Sequence, residues 1–123
     1  MKVLIIEPDH ILGQAYKKAF TEAGIAIKIA SNAQGAIATI DETKPDVVVL
    51  EIQMASHSGV EFLHEFRSYE DLNDIPIVMY SSVPEYAFGI DTKTWNNLGV
   101  VRYFYKPKTN LNQLIGAVKS IVE

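Results

Sequence analysis

The segment from residue 46 to residue 51, which reads DVVVLE, decides the fold of this chain. Its four consecutive aliphatic residues, three of them β-branched, predict a strand that is buried on both faces of a parallel sheet covered by helices. Glu51 follows where the strand ends. Ligands of open parallel sheets bind beyond the carboxyl ends of the strands, so Glu51 is either a functional carboxylate or the first solvated position.

The rest of the chain repeats this pattern of an apolar strand followed by an amphipathic helix. The other strands are predicted over residues 2–6, 26–30, 75–80 and 100–105, which are rich in aliphatic or aromatic side chains. Helices are predicted over residues 12–24, 33–41, 59–67, 85–97 and 111–122. The alternation predicts one (βα)5 domain over residues 1–123, of the α/β class, with helices on both faces of a parallel sheet.

The composition argues against several classes of function. The chain has 123 residues and no cysteine, which excludes disulfides, thiolate zinc sites and thiol catalysis. A formal net charge of -4 argues against direct nucleic-acid binding, and the apolar runs are too short to span a membrane. The three histidines, His10, His57 and His64, show no metal-ligand spacing. With no secretory leader recognised, we expect a cytoplasmic protein whose partners are other proteins.

Polar residues follow the predicted strands at what would be a single edge of the sheet. Glu7 and Asp9 follow the first strand, Glu51 the third, and Ser81 and Ser82 the fourth, while the pair Lys106-Pro107 follows the fifth. Because parallel strands end at the same edge, we expect carboxylates, hydroxyls and one ammonium group to meet in a cleft there. No glycine-rich phosphate loop follows the first strand, which counts against a nucleotide-binding site.

These residues resemble the receiver domain of two-component response regulators, and the resemblance runs from Met1 to Glu123. It rests on the stretch VLIIEPD at residues 3–9, on EIQMASHSG at 51–59, on IPIVMYS at 75–81 and on YFYKP at 103–107. The resemblance implies a flavodoxin-like, doubly wound fold with strand order 2-1-3-4-5, two helices on one face and three on the other. It also implies that Glu51 holds the phosphoacceptor position, that Ser81 and Tyr103 are switch residues, and that a cis Lys106-Pro107 bond aims Lys106 into the cleft.

Three departures from the family pattern bear on the function. Receivers of this kind carry an aspartate where Glu51 stands, a magnesium-ligating aspartate where Pro8 stands, and a proline where Ala55 stands. Proline has no side-chain oxygen, so we expect a degraded magnesium site and no cofactor. Asp9 is one residue removed and is expected to be the N-cap of the first helix. A Glu51 carboxylate that reaches Lys106 and Ser81 would act as a fixed negative charge.

The favoured hypothesis is therefore a pseudo-receiver that is not an enzyme, is not phosphorylated in the usual way and works by binding proteins, with a histidine kinase or an output domain as candidate partners. The first alternative is a working phosphoaccepting receiver of a phosphorelay, in which Asp9 holds magnesium. The second is a flavodoxin-like enzyme or nucleotide binder, since a fold does not fix a function. Tyr80, Trp95, Tyr103 and Tyr105 are candidates either for a protein-binding face or for the core.

Overall fold

The computed structural model describes residues 1–52, 59–70 and 72–122. Its five parallel strands lie in the order β2-β1-β3-β4-β5, as the resemblance implies. The strands are β1 (Lys2–Ile6), β2 (Ala26–Ala30), β3 (Val47–Leu50), β4 (Ile77–Ser81) and β5 (Val100–Tyr105). The fourth strand begins after Pro76 rather than at Ile75, and it extends through Ser81. Strands β3 and β4 are buried at every position, as expected for the central strands of a sheet covered on both faces.

The helices are α1 (His10–Glu22), α2 (Ala33–Glu42), α3 (Gly59–Ser68), α4 (Thr92–Asn97) and α5 (Leu111–Val122). The prediction of one helix over 85–97 is wrong. A 3-10 turn covers Glu85–Phe88 and ends at Gly89, whose φ of 61° is left-handed. Helix α4 then starts afresh, because the Asp91 side chain caps it by accepting a hydrogen bond from the Thr94 backbone N–H at 2.8 Å.

Two separate apolar cores cover the two faces of the sheet. Helices α1 and α5 pack against one face through side chains such as Phe20 and Leu114. Helices α2, α3 and α4 pack against the other face through Ala36, Phe62 and Trp95, among others. The predicted division of two helices against three is confirmed.

Arg67, near the end of α3, links two segments at the amino edge of the sheet, the loop before β4 and the end of α4. Its guanidinium donates hydrogen bonds to the carbonyl oxygens of Leu98 at 2.7 Å and Ile75 at 2.5 Å, and also to those of Leu72 and Asn73. The approach is possible because residue 99 is a glycine with φ of 83°, whose missing Cβ leaves room for the guanidinium. The start of β4 and the turn between α4 and β5 therefore depend on one side chain.

Within the described residues, no helix is long and apolar enough to cross a membrane. Residues 53–58, which carry Met54, Ala55 and His57 of the family-like motif, lie outside the described residues.

Candidate functional site

The carboxyl edge of the sheet brings together four of the polar residues predicted to meet there. Glu7 directly follows β1, Glu51 follows β3, Ser81 is the last residue of β4 and Lys106 follows β5. Glu7 is 4% exposed, Glu51 5% and Ser81 0%. Buried polar groups need partners, so the contacts among these four residues, together with those that the adjacent Ser82 makes to Glu51, define what the cleft can do.

The ammonium group of Lys106 lies between two buried carboxylates. Its Nζ is 3.1 Å from Glu51 Oε1 and also contacts Glu7 Oε1. The same Nζ lies 5.8 Å from the ring centroid of Tyr16 and 5.7 Å from that of Tyr80, within the range of cation–π attraction. One positive charge is thus shared by two negative ones. The predicted reach of Lys106 to Glu51 is confirmed, and Glu7, which the sequence placed in the same cleft, is a second partner of Lys106.

Glu51 is further held by the residues that end β4. The Ser81 hydroxyl donates to Oε2 at 2.5 Å, and both the backbone N–H and the hydroxyl of Ser82 donate to Oε1 at 3.1 Å. Burial by itself raises the pKa of this carboxyl, but the hydrogen bonds from Ser81 and Ser82 and the charge of Lys106 outweigh it, so the pKa lies below its ordinary value. The geometry favours an ionised Glu51.

The lowered pKa of Glu51 predicts acid-sensitive stability. A carboxyl whose pKa is lower in the folded than in the unfolded chain stabilises the fold fully above the unfolded pKa, about 4.3 for glutamate. That stabilisation is lost as the pH falls through the folded pKa. We expect the urea concentration at the midpoint of unfolding to decrease when the pH is lowered from about 5 to about 3. The decrease should be less steep in Glu51→Gln. Equal slopes for the two proteins would contradict the assignment.

Glu7 is fixed by contacts from α1 and its cap. The Tyr16 hydroxyl donates to Glu7 Oε1 at 3.2 Å, and the Asp9 backbone N–H donates to Oε2 at 3.2 Å. Burial raises the pKa of Tyr16, and the charge of Glu7 raises it further. The hydroxyl therefore stays protonated and can donate its hydrogen bond. Tyr16 is a site residue that sequence reasoning missed, because its helical spacing placed it in the apolar stripe of α1.

Asp9 is the N-cap of α1, as predicted. Its Oδ1 accepts a hydrogen bond from the Leu12 backbone N–H at 3.0 Å, and its side chain is exposed. Pro8, between Glu7 and Asp9, offers no side-chain ligand. In the part of the chain that the structure describes, no group of three His, Cys, Asp or Glu side chains is placed to hold a metal ion. A cation entering the cleft would have to compete with Lys106 for Glu7 and Glu51.

The Lys106-Pro107 peptide bond is trans, so the prediction of a cis bond is wrong. The chain turns here through a 3-10 turn over Lys106–Lys108, in which the Thr109 backbone N–H donates to the Lys106 carbonyl at 3.2 Å. This turn supplies the change of direction that the prediction assigned to the peptide bond. Lys106 reaches the cleft with the bond trans.

Tyr103 is half-buried, with its hydroxyl bonded inward rather than at the surface. The hydroxyl donates to the Val83 carbonyl at 2.5 Å, and the ring packs 5.6 Å from that of Trp95. Burial raises the pKa of Tyr103 to about 12. Tyr80 lies on the opposite face of the sheet, in the core with α1 and α5, so three of the residues considered for one binding face, Tyr80, Trp95 and Tyr103, are divided between two cores.

Comparison with known proteins places this geometry in a family. The family model of the response regulator receiver domain matches residues 3–119. The chain belongs to the response regulator receiver domain family. A two-component response regulator from Clostridium difficile is similar in structure, with a TM-score of 0.85 and 31% identity over 99% of this chain and 95% of that one.

Other members of the family match this receiver domain at lower identity. Response regulator MprA of Mycolicibacterium vanbaalenii is 25% identical over 125 residues, which cover 99% of this chain and 50% of the relative. The receiver domain thus spans about half the length of the curated relatives it matches. The fold is also shared with response regulator TrrA from Thermotoga maritima, at a TM-score of 0.80 and 24% identity over 98% of this chain and 97% of that chain.

Proposed function

We propose that residues 1–123 form a pseudo-receiver, a signalling domain that works by binding proteins and is not phosphorylated in the usual way. The observation that carries this proposal is the Lys106 ammonium group, which contacts both Glu7 and Glu51 in a buried cleft. Its positive charge compensates the two carboxylates that would otherwise bind a metal ion and accept a phosphoryl group.

Phosphoryl transfer to Glu51 is disfavoured by the length of the glutamate side chain and by the hydrogen bonds that its carboxylate already accepts. One more methylene than aspartate displaces the acceptor oxygen by about 1.5 Å, the length of a carbon-carbon bond. A misplacement of about 1 Å costs on the order of 100-fold in rate. Both carboxylate oxygens of Glu51 already accept hydrogen bonds from Ser81 or Ser82. An attacking oxygen would have to give up these bonds.

Magnesium is disfavoured by the donors available. It prefers near-octahedral oxygen ligation and usually keeps one or two protein carboxylates. Pro8 has no ligand to give, Asp9 caps α1, and the Glu7 oxygens accept from Lys106, Tyr16 and the Asp9 backbone N–H. The Lys106 ammonium group, which contacts two carboxylates and two tyrosine rings, already supplies the positive charge that this cleft needs. We propose that the domain uses no metal cofactor.

The domain would then be set in one state rather than switched. Ionised Glu51 gives a constant negative charge at the acceptor position, where a phosphate would give about -1.5 to -2. Such a domain has no reaction to perform and acts through its surface. Its partners would be proteins of a signalling pathway, among which a histidine kinase or an output domain are candidates.

A working phosphoaccepting receiver is the alternative. It is favoured by the family membership and by the convergence of Ser81, Glu51 and Lys106 in one cleft. It requires magnesium to displace Lys106 from at least one carboxylate, and a glutamate to serve as acceptor.

The test compares phosphorylation of the unmodified domain with that of two variants. Each protein is incubated with acetyl phosphate and magnesium, and its intact mass is measured. We expect no added phosphoryl group on the unmodified domain and little on Glu51→Asp, because the metal defect remains. We expect measurable acyl phosphate on the double variant Pro8→Asp with Glu51→Asp, because magnesium neutralises the charge that develops during transfer.

The outcome that reverses the proposal is specific. A phosphoryl mass on the unmodified domain that disappears in Glu51→Gln would establish the alternative. The double variant serves as the positive control, since its phosphorylation shows that the rest of the cleft is intact.

A further inference from the structure

We propose that the open edge of β2 binds an extended segment of a partner protein in which apolar residues surround an acidic one. The surface consists of the outer edge of β2 and of an adjoining groove, here called the β2 groove, of about 270 Å³. Its lining residues are Lys2, Val3, Leu4, Ala26, Ile27, Lys28, Thr39, Thr43 and Pro45. The surface is independent of the cleft around Glu51.

The backbone of β2 can accept another strand. In the described five-stranded sheet β2 lies at the edge and pairs only with β1. The carbonyl of Ala30 accepts the Glu7 backbone N–H at 2.9 Å and so points toward β1. Backbone groups alternate in direction along a strand, so those of Ile27 and Ile29 point outward. An added strand can pair with them, which is a recurrent mode of peptide recognition.

The β2 groove supplies a site for an apolar side chain of that segment. The register pairs Lys2 with Ala26 and Leu4 with Lys28, which places these four side chains on one face of the sheet. Leu4 is buried and belongs to the core under α2, whereas Ala26 is exposed. A side chain opposite Ala26 would lie over the groove and cover apolar surface that is now open to water.

The charges at the rim of the β2 groove select an acidic residue. Lys2 and Lys28 are both exposed, and neither ammonium group takes part in an ion pair with another described residue. The nearby carboxylate of Asp46 is bound to the backbone N–H of Lys2 at 2.7 Å. The Asp46 carboxylate keeps its charge, and two ammonium groups against this one carboxylate leave the rim with a net positive charge on a chain whose formal net charge is -4. Complementary charge predicts a carboxylate opposite Lys28.

The same charges argue against a second copy as the occupant. Lys28 is the middle residue of β2 (Ala26–Ala30), so two copies joined antiparallel about a twofold axis, with the whole length of β2 paired, would place their Lys28 side chains opposite each other. Like charges directly opposite in a strand pair are destabilising. An acidic segment of a different protein is the better match.

The test uses a fluorescein-labelled peptide, Ser-Val-Val-Glu-Val-Val-Ser, and a matched peptide with lysine in place of glutamate. We expect saturable binding of the glutamate peptide by fluorescence anisotropy, with amide NMR shifts centred on residues 26–30. Lys28→Glu should lower the affinity at least about tenfold and should gain affinity for the lysine peptide. Lys93→Glu, the same charge change on α4 near the opposite edge of the sheet, should have little effect.

Several results would overturn the proposal. The first is the absence of saturable binding, and the second is a set of amide NMR shifts located away from β2. The third is a Lys28→Glu variant that still prefers the glutamate peptide over the lysine peptide. Sedimentation that shows a dimer of the free domain, altered by Lys28→Glu, would identify a second copy as the occupant instead. The Glu51→Gln variant should bind the peptide normally, which separates this proposal from the one concerning the cleft.

Discussion

Lys106→Met is expected to destabilise the domain by about 3 to 5 kcal/mol at neutral pH, the usual cost of removing one partner from a buried ion pair. Methionine keeps most of the apolar stem but removes the ammonium group, so the buried Glu7 and Glu51 carboxylates lose their shared counter-charge. Urea unfolding at pH 7 measures the difference in free energy. The difference should shrink as the pH is lowered, because protonation of Glu51 in the variant removes one of the two unpaired buried charges.

Lys44→Met is the matched control for this experiment. Lys44 pairs with Asp74 at 3.2 Å, but the two side chains are 52% and 72% exposed. Exposed ion pairs contribute little to stability, so this variant should unfold close to the parent. If Lys106→Met were no more costly than Lys44→Met, the buried ammonium would not be the group that holds the cleft together.

Arg67→Met is expected to cost about 3 kcal/mol, because it leaves several backbone carbonyls without their charged donor. The guanidinium bonds to carbonyls from the loop before β4 and from the end of α4, and burial lowers its pKa without making it neutral at ordinary pH. Amide hydrogen exchange should show early opening around residues 72–77 and 98–100. Unfolding in urea gives the magnitude.

Arg67→Lys and Gly99→Ala distinguish the guanidinium fork from a simple positive charge. A lysine has one ammonium group and cannot reach all of the carbonyls, so it should recover only part of the lost stability. A Cβ at residue 99 would lie 2.0 Å from the guanidinium of Arg67 and would require a left-handed alanine, so Gly99→Ala should also destabilise the fold. A fully stable Arg67→Lys variant would contradict this account.

The strands and the two-layer arrangement of helices could be predicted because the signals are local. Val47–Leu50 is a run of aliphatic residues that fits a fully buried strand better than a half-exposed one, and Ile77–Ser81 begins with another apolar run. The fourth helix was predicted as one element because its apolar stripe is weak and does not reveal the two breaks in the segment. Gly89 adopts a left-handed conformation, and Asp91 provides a new N-cap.

The site was predictable only in part, because its contacts join distant parts of the chain. The pairing of Glu51 with Lys106 followed from the ends of two strands. The contact of Lys106 with Glu7 joins residues 99 positions apart, and the role of Tyr16 was hidden in an apolar stripe. The trans Lys106-Pro107 bond was missed because the resemblance, rather than any local signal, supplied that prediction.

The central claim is that the cleft formed by Glu7, Glu51 and Lys106, with a proline at residue 8, takes up neither magnesium nor a phosphoryl group. The most direct test is a titration with magnesium and beryllium fluoride, the ligand present in the structure of the TrrA protein. Amide NMR of the unmodified domain should show no saturable change at Glu7, Glu51, Ser81 or Lys106, whereas the double variant Pro8→Asp with Glu51→Asp should respond. A saturable shift of these amides in the unmodified domain, lost in Glu51→Gln, would contradict the account.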